Sequence, residues 1–519
     1  MRKLSRIVFS RYFISAVLIL VELLLLGYIL LSTYEYSAVA LVVFGVVDFI
    51  ALVSLINKDA NPEYKVSWLV VIMLLPPIGT VLYVIFYSRR VTRRSVANMK
   101  LIRENLDEFR CTGGISSHNL DLNFERLKAS TPLAAGKAHA ILNDDKIANI
   151  YLETSSEYFS SGEDMYHAML SDIAAAEKYI FLEYFIIEDG VMWEGIYSLL
   201  SKKARDGVEV RVLYDDIGCM KTLPSGFDRQ LRASGIEIKR FSPVTPRLST
   251  VHNNRDHRKI LVVDGFIGYT GGVNIADEYI NKKSRFGHWK DGGIRLEGYA
   301  VGGLIKLFLA LWDLDAPTLS DAARYAKSQR RANNPDGGFY IPFGSGPSPI
   351  YDRPVGKNAL LNLINQAERY LYITTPYLII DYDLTESLRN AAQRGVDVRI
   401  ITPAVADKRM VKVMTKSTYP TLMRAGVSIY EYAPGFIHEK TVVCDDLYAM
   451  VGTVNLDYRS LAHHYEDAVW IYGSPTVVKI RREFMKTVSV SNQKDPREVR
   501  LSFIEWCVRN LMRIFAPLL

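Results

Sequence analysis

The sequence has no cysteine framework. Cys111, Cys219, Cys444 and Cys507 are scattered without Cys-x-x-Cys spacing, so neither a disulfide scaffold nor a metal knuckle is indicated, and free thiols fit a reducing compartment. Compact His/carboxylate spacing of the kind that holds a catalytic metal is also missing. Basic residues are not interleaved with aromatics along a groove-forming stretch, which argues against a nucleic-acid partner. Charged residues are scarce over the first 90 positions. Apolar runs occupy residues 12–31, 38–56 and 68–87 of the 519-residue chain, each about the length that crosses a bilayer.

These runs predict an N-terminal membrane region over residues 1–90. A secretory signal is the competing reading, but the first run is too long for it and a second follows where cleavage would fall. Glu22 and Asp48 lie mid-run and suit helix packing or a functional intramembrane carboxylate. The third run carries Pro76-Pro77 and Gly79 at its middle. Arg2, Lys3, Arg6 and Arg11 precede the first run, and Arg89, Arg90, Arg93, Arg94, Lys100 and Arg103 follow the third. Such clusters favour the cytoplasmic face and anionic lipid head groups. Two spans plus a re-entrant or interfacial third segment place both clusters, and the rest of the chain, on the cytoplasmic side of a cell membrane.

What the remainder does contain is a pattern that occurs twice. His257-x-Lys259-x4-Asp264 is followed by Gly271-Gly272-Val273-Asn274, and His438-x-Lys440-x4-Asp445 by Gly452-Thr453-Val454-Asn455. A single HxKx4D match arises by chance in roughly a few per cent of chains this long. Two copies with the same tail at the same distance mark a duplication.

The flanking sequence repeats as well. Residues 176–187 read as a turn and an apolar strand, 192–204 as a helix and 207–214 as a second strand. Residues 367–380, 384–393 and 395–401 repeat that order. The alternation predicts an α/β fold of two similar halves related by a pseudo-two-fold axis. The expected boundaries are a basic and polar connector over 91–133, a first half over 134–332 and a Gly/Pro/Ser-rich linker over 333–349. A second half over 350–500 and an amphipathic tail over 501–519 complete the chain. The tail fits an interfacial helix and a helix docked on the protein equally well.

Two His, two Lys and two Asn converging between the halves would surround one phosphoryl group. Lys259 and Lys440 supply charge, and Asn274 and Asn455 donate amide hydrogen bonds. One imidazole can attack phosphorus while the other protonates the leaving oxygen, with roles reversing in a second step and no metal or cofactor. One His must then be neutral and the other charged, which predicts a bell-shaped pH profile. Asp264 and Asp445 follow the motif strands and should brace them. Each His needs a carboxylate to fix its tautomer. Asp291 and Glu466 are the candidates, with Asp277, Glu278, Asp457 and Asp467 close by. His288 is undecided, and His118, His139, His167, His252, His463 and His464 receive no role.

At these motifs the chain resembles the phospholipase D superfamily and, more narrowly, the bacterial cardiolipin synthases. The narrower likeness rests on Leu182-Glu183-Tyr184-Phe185-Ile186-Ile187, Leu213-Tyr214-Asp215-Asp216-Ile217-Gly218, Asn254-Arg255-Asp256-His257-Arg258-Lys259-Ile260, Thr375-Pro376-Tyr377 and the two Gly-x-x-Asn tails with their flanks. Residues 68–87 look like that family's last membrane segment. Gly272 and Thr453 stand where the superfamily often has Ser, and the run before residue 57 is additional. The resemblance implies two phospholipase D-like halves and a phosphatidylglycerol substrate with anionic lipid partners. It also implies transfer of a phosphatidyl group from one phosphatidylglycerol to another through a phosphatidyl-histidine, giving cardiolipin and glycerol. By that analogy His257 is the nucleophile and His438 the acid and base. A hydrolase releasing phosphatidic acid is the alternative on the same scaffold. Oligomeric state is not encoded in these patterns.

Overall fold

The computed structural model describes residues 28, 38–58, 60–87, 91–112, 117–243, 253–497 and 502–518. The first apolar run apart from Tyr28, with its Glu22, the N-terminal basic cluster, Arg89, Arg90 and His252 lie outside them.

Short apolar segments rich in Val, Ile, Tyr and Phe form buried strands, and most of them assemble into two large sheets. The strands of the first are β1 (Thr154–Phe159), β2 (Tyr179–Tyr184), β3 (Glu209–Asp215), β4 (Glu237–Phe241), β5 (Lys259–Val263), β6 (Ile267–Gly271) and, after the short β7 (His288–Lys290), β8 (Gly293–Gly298). Their order is β1-β8-β6-β5-β2-β3-β4. The second half contributes β9 (Phe339–Ser345), β10 (Tyr370–Thr374), β11 (Leu378–Ile379), β12 (Asp397–Pro403), β13 (Ser428–Tyr432) and β14 (Gly435–Ile437). β15 (Thr441–Cys444), β16 (Tyr448–Gly452), β17 (Leu456–Asp457), β18 (Glu466–Tyr472) and β19 (Ser491–Gln493) follow. The second sheet runs β19-β13-β12-β10-β15-β16-β18-β9. Read from β9, it repeats the first sheet strand for strand and adds β19 at its far edge. In each, the two strands after the βαβ crossovers are parallel to their neighbour, while the motif strands β5 and β15 run antiparallel to β2 and β10.

The largest core cluster draws on both sheets, and a second packs the helices Gly162–Ala175 and Val191–Arg205 against Ile180, Leu182 and Tyr184 of β2. The helix Val301–Trp312 is buried along its whole length in the first cluster, with Phe308 stacked on Phe181 of β2. A helix apolar all round belongs in such a place.

Two expected boundaries are corrected. Residues 333–349 contain β9, which pairs along its full length with β18 and is buried apart from Phe339. The glycines and prolines that suggested a linker punctuate a strand. The 91–133 segment consists largely of the helices Arg93–Thr112 and Ser117–Ser130, and Met99, Ile102, Leu106, Leu120 and Leu127 join the main core. Its charge sits on the outer faces, which is why composition alone made it look like a connector. Arg103 of that cluster donates to the carbonyl of Ile350.

Toward the N-terminus, Ala38–Ile56 is one helix, with the side chains of residues 38–41 outside the description. The third apolar run is split into Pro62–Leu74 and Ile78–Tyr87, which fold against each other. A Cβ at Gly79 would sit 2.2 Å from the carbonyl oxygen of Val71, so only glycine allows that approach. Asp48 accepts a hydrogen bond from Thr80, tying the first of these helices to the third. Among the described residues, no helix is long and apolar enough to cross a membrane.

Candidate active site

The repeat brings the two motifs to the seam between the sheets by a pair of equivalent backbone contacts. β14 runs parallel to β7, with Gly435 opposite His288 and Ile437 opposite Lys290. The matching contact in the other half is the parallel bridge between Asp256 and Tyr465. The amide of His438 donates to Lys290 O at 2.8 Å, and that of His257 to Tyr465 O at 2.9 Å. Each histidine is therefore held at its own backbone by the opposite half.

The side chains cross over in the same way. Nδ1 of His257 lies 2.8 Å from Glu466 Oε2, and Nδ1 of His438 lies 2.7 Å from Asp291 Oδ2. With Nδ1 committed to a carboxylate, Nε2 is the nitrogen left for chemistry. Sequence order left open which of the two carboxylates serves which histidine. The fold pairs each with the other half's histidine.

The competing carboxylates have other tasks. Asp277 accepts from the amides of Val191 and Met192 at the start of the helix Val191–Arg205. Asp457 caps Tyr458–Ala462, and Glu278 pairs with Lys283 and Arg285. Asp467 accepts from Thr270 Oγ1 at 2.5 Å, a further tie between halves.

The two orienting carboxylates are supported differently. Glu466 also accepts from Ser460 Oγ at 2.7 Å and Thr453 Oγ1 at 2.5 Å. Asp291 accepts from its neighbour's amide, Gly292 N, at 2.8 Å. Thr453 and Gly272 are the residues that depart from the superfamily's Ser. A Cβ on Gly272 would meet Asp291 Oδ1 at 2.0 Å. The shorter aspartate sits close over the Gly-Gly turn, whereas the longer glutamate leaves room for a threonine that donates to it. Gly272→Ala is expected to displace Asp291 and lower turnover roughly a hundredfold, the scale of removing a support behind a reacting group. Thr453→Ala should cost much less. Equal losses in steady-state assays would refute this account.

Lys259 and Lys440 are buried beside the histidines. Lys259 Nζ donates to the carbonyl of His257 at 2.6 Å, and Lys440 Nζ lies 2.8 Å from His438 Nδ1. Asn274 is tied on both sides: its Oδ1 accepts from Ile186 N at 3.1 Å and its amide donates to the Tyr279 hydroxyl at 2.6 Å. Asn455 differs, since its buried Oδ1 has no hydrogen-bond partner in the protein.

Asp264 and Asp445 do the same job in each half. The carboxylate of Asp264 accepts from the amides of Glu177, Lys178 and Tyr179 at the start of β2. That of Asp445 accepts from Glu368, Arg369 and Tyr370 at the start of β10. Both have positive φ, 52° and 59°. Each lies seven positions beyond its histidine, about 23 Å along an extended chain, so these carboxylates fasten the strand pair and stand away from the reacting atoms.

Burial dominates the site's protonation. Desolvation lowers His257 to about 3, against the raising effect of Glu466, and lowers His438 to about 4, helped by Lys440 and by Lys259 from the other half. The lysines fall for the same first reason, Lys259 to about 8 and Lys440 to about 7. Burial alone would raise Glu466, but His257 and His464 outweigh it and hold the carboxyl well below its usual range. Burial therefore favours the neutral form of both imidazoles, where one charged histidine was expected.

Three residues here carry contacts that the motif pattern did not indicate. Asp215 grips Arg255 at 2.8–3.0 Å and accepts from the amide of Asp256, fixing the segment that leads into His257. Fully buried Arg258 donates to the carbonyls of Leu307 and Glu466 and to the Tyr351 hydroxyl. The ring of His464 lies 5.5 Å from that of His257, and its Nδ1 is 3.7 Å from Glu466. The position two residues before Glu466 was the available clue to His464. His288 hydrogen-bonds the Tyr432 hydroxyl at 2.9 Å in the β7–β14 seam. Among the described residues, His257, His464 and Glu466 form a group whose donor atoms lie within 4.8 Å of one another, a spacing that could hold a metal. Hydrogen bonds from His257, Thr453 and Ser460 already account for Glu466 there.

Two doubled α/β halves that share one bipartite His-Lys-Asn site define a phospholipase D-like protein. Residues 169–284 and 360–488 match the family described as cardiolipin synthase, PLD-like domain, and residues 46–86 match the phospholipase D-nuclease N-terminal family. The chain is 32% identical to cardiolipin synthase 1 of Bacillus cereus over 523 residues, covering 96% of this chain and 97% of that protein. It is 31% identical to the cardiolipin synthase of Halalkalibacterium halodurans over 471 residues, 90% of each. An uncharacterized protein of Streptococcus mutans is 37% identical over 468 residues, covering 90% and 98%. The phosphatidylserine synthase of Haemophilus influenzae has the same fold, with TM-score 0.55 at 15% identity over 74% of this chain and 98% of that one. The chain belongs to the cardiolipin synthase family, whose members are phospholipase D-type phosphatidyltransferases.

Proposed function

We propose that the protein makes cardiolipin and glycerol from two molecules of phosphatidylglycerol through a phosphatidyl-histidine. The observation that carries this reading is the crossed fixing of both histidines at Nδ1, which offers two Nε2 atoms to one phosphoryl group. His257 Nε2 attacks phosphorus, the bond to the glycerol oxygen breaks, and His438, which takes up a proton at Nε2 as the anionic lipid binds, gives that oxygen its proton. The terminal hydroxyl of a second phosphatidylglycerol then yields its proton to His438 as its oxygen attacks phosphorus. The P–N bond breaks and His257 is released neutral. Lys259, Lys440 and the Asn455 amide stabilise the charge that builds on the phosphoryl oxygens. Each phosphodiester replaces another, so no nucleotide is consumed, and the lysines supply the positive charge a metal would otherwise bring.

Purified full-length protein in mixed micelles with phosphatidylglycerol is expected to release glycerol and cardiolipin in equal amounts, with EDTA present. Phosphatidic acid as the main product would establish a hydrolase instead.

The pH dependence follows from burial. Burial holds both imidazoles toward the neutral form above about pH 4, and it lowers Lys440 and Lys259 so that they discharge as pH rises through about 7 and 8. Loss of those charges weakens binding of an anionic phosphodiester, so kcat/KM should fall above about pH 7. The bound anion favours the charged forms, so its binding should take up protons at pH 7.5. Calorimetry in buffers of different ionisation enthalpy reads this directly, and proton release would count against it.

We further propose that the N-terminal region lies in a membrane with the catalytic body on its cytoplasmic side. In support, Val42, Val46, Phe49, Ile50 and Val53 of the helix Ala38–Ile56 are exposed, as are Met73 and Leu74 near the turn of the following pair. Phe503, Ile504 and Leu511 of the C-terminal helix Phe503–Phe515 also face outward. A reporter fused after Arg94 should be active only inside the cell; an external signal would reverse the topology.

A further inference from the structure

A cleft of about 810 Å³ opens where the N-terminal helices meet the second half. Its size is within the roughly 300–1,000 Å³ of small-molecule sites. Among the described residues that line it, Lys58 and Arg353 bring two positive side chains to its wall against one carboxylate, Asp352, and Tyr64, Tyr458 and His463 line it as well. The exposed Arg353 guanidinium also pairs with Asp144 at 3.6 Å. Lys58 sits at the end of the apolar helix Ala38–Ile56, with its ammonium 4.0 Å from the ring centroid of Tyr87. That is head-group height if the helix lies in a bilayer.

The cleft is built into the catalytic body. Glu63, at the start of Pro62–Leu74, accepts from the amide of Tyr382 at 2.9 Å and from the Tyr458 hydroxyl. Asn61 donates to Asp381 at 3.1 Å. A second cavity of about 150 Å³ shares Tyr64 and His463 with the first and reaches Asn254, three residues before His257. Trp68, Phe86 and Leu518 make its walls apolar. The two cavities join a charged entrance, an apolar wall and the segment bearing the proposed nucleophile.

We propose that this cleft seats the acceptor lipid, an anionic glycerophospholipid with a free terminal hydroxyl. Its phosphate lies beside Lys58 and Arg353, and its hydroxyl passes His463 toward the phosphoryl site. The proposal rests on the phosphatidyl exchange described above and names the part of the site that admits the second substrate.

The test compares two acceptors on full-length protein in mixed micelles. Labelled glycerol, being soluble, reaches the intermediate without a lipid anchor and is read as label entering phosphatidylglycerol. The lipid acceptor is read as cardiolipin. Lys58→Glu and Arg353→Glu are each expected to lower the ratio of cardiolipin formation to glycerol exchange about tenfold. They should also raise the half-saturating phosphatidylglycerol fraction several-fold, while Lys58→Arg and Arg353→Lys restore both. Remaining exchange shows that the variants fold. An unchanged ratio in both charge-reversed variants overturns the assignment. Wild-type protein that exchanges no glycerol overturns the exchange reaction itself, before any variant is made, and the acceptor role with it.

Discussion

His438→Ala is expected to lower cardiolipin formation by roughly a thousandfold or more and to leave phosphatidyl label on His257. Removing the acid and base takes away the proton that glycerol needs to leave and the base that the second lipid needs to attack, each worth typically 10^2–10^4-fold. A phosphatidyl ester of 4-nitrophenol separates the two needs, because its leaving group requires no proton. With that substrate, His438→Ala should still release nitrophenolate in a burst of one equivalent and then stall. The trapped adduct should carry the acid-labile, base-stable signature of a P–N bond, mapped to the peptide containing His257. His257→Ala should give no burst. Label on neither histidine would defeat covalent catalysis, and label on His438 would exchange the two roles.

The second large effect tests the crossover. Asp291→Asn and Glu466→Gln should each lower cardiolipin formation by roughly 10^2–10^4-fold, the scale of disturbing the tautomer of a catalytic histidine. The nitrophenyl substrate tells them apart. Asp291 holds His438, so Asp291→Asn should behave like His438→Ala and retain the burst. Glu466 holds His257, so Glu466→Gln should abolish it. If each carboxylate served its own half, the outcomes would be reversed. The substitutions remove charge at nearly constant volume, and the unchanged burst in one variant confirms an intact fold.

Much of the second layer of this site lay beyond the reach of sequence. Asp291 and Glu466 could be nominated because each follows a Gly-x-x-Asn tail, but four other carboxylates, Asp277, Glu278, Asp457 and Asp467, were close competitors. What separates them is the register of β7 against β14 and of Asp256 against Tyr465, contacts between segments some 150–210 positions apart. Gly272 looked like a harmless departure from Ser until Asp291 was seen to occupy the space of its side chain. His464 was passed over because its place next to His463 in the chain says nothing about which ring it faces in the fold. The strand β9 was hidden in a segment rich in turn formers, and the helices over 93–130 behind their charged faces.

The sequence by itself determined the duplication, the chemistry of each half-site and the α/β character of both halves. These are local properties. A two-residue spacing puts His and Lys together where the chain enters the motif strand, an aspartate at the strand's end caps the neighbouring turn, and apolar alternation marks the strands. Tertiary structure alone decided which carboxylate serves which histidine and how far burial lowers the histidines and lysines. It also decided that the N-terminal helices close a charged cleft against the catalytic body. Those outcomes depend on the packing of one half against the other. Hydrogen bonds and desolvation act through distances in space, and no spacing along the chain encodes a distance between its two halves.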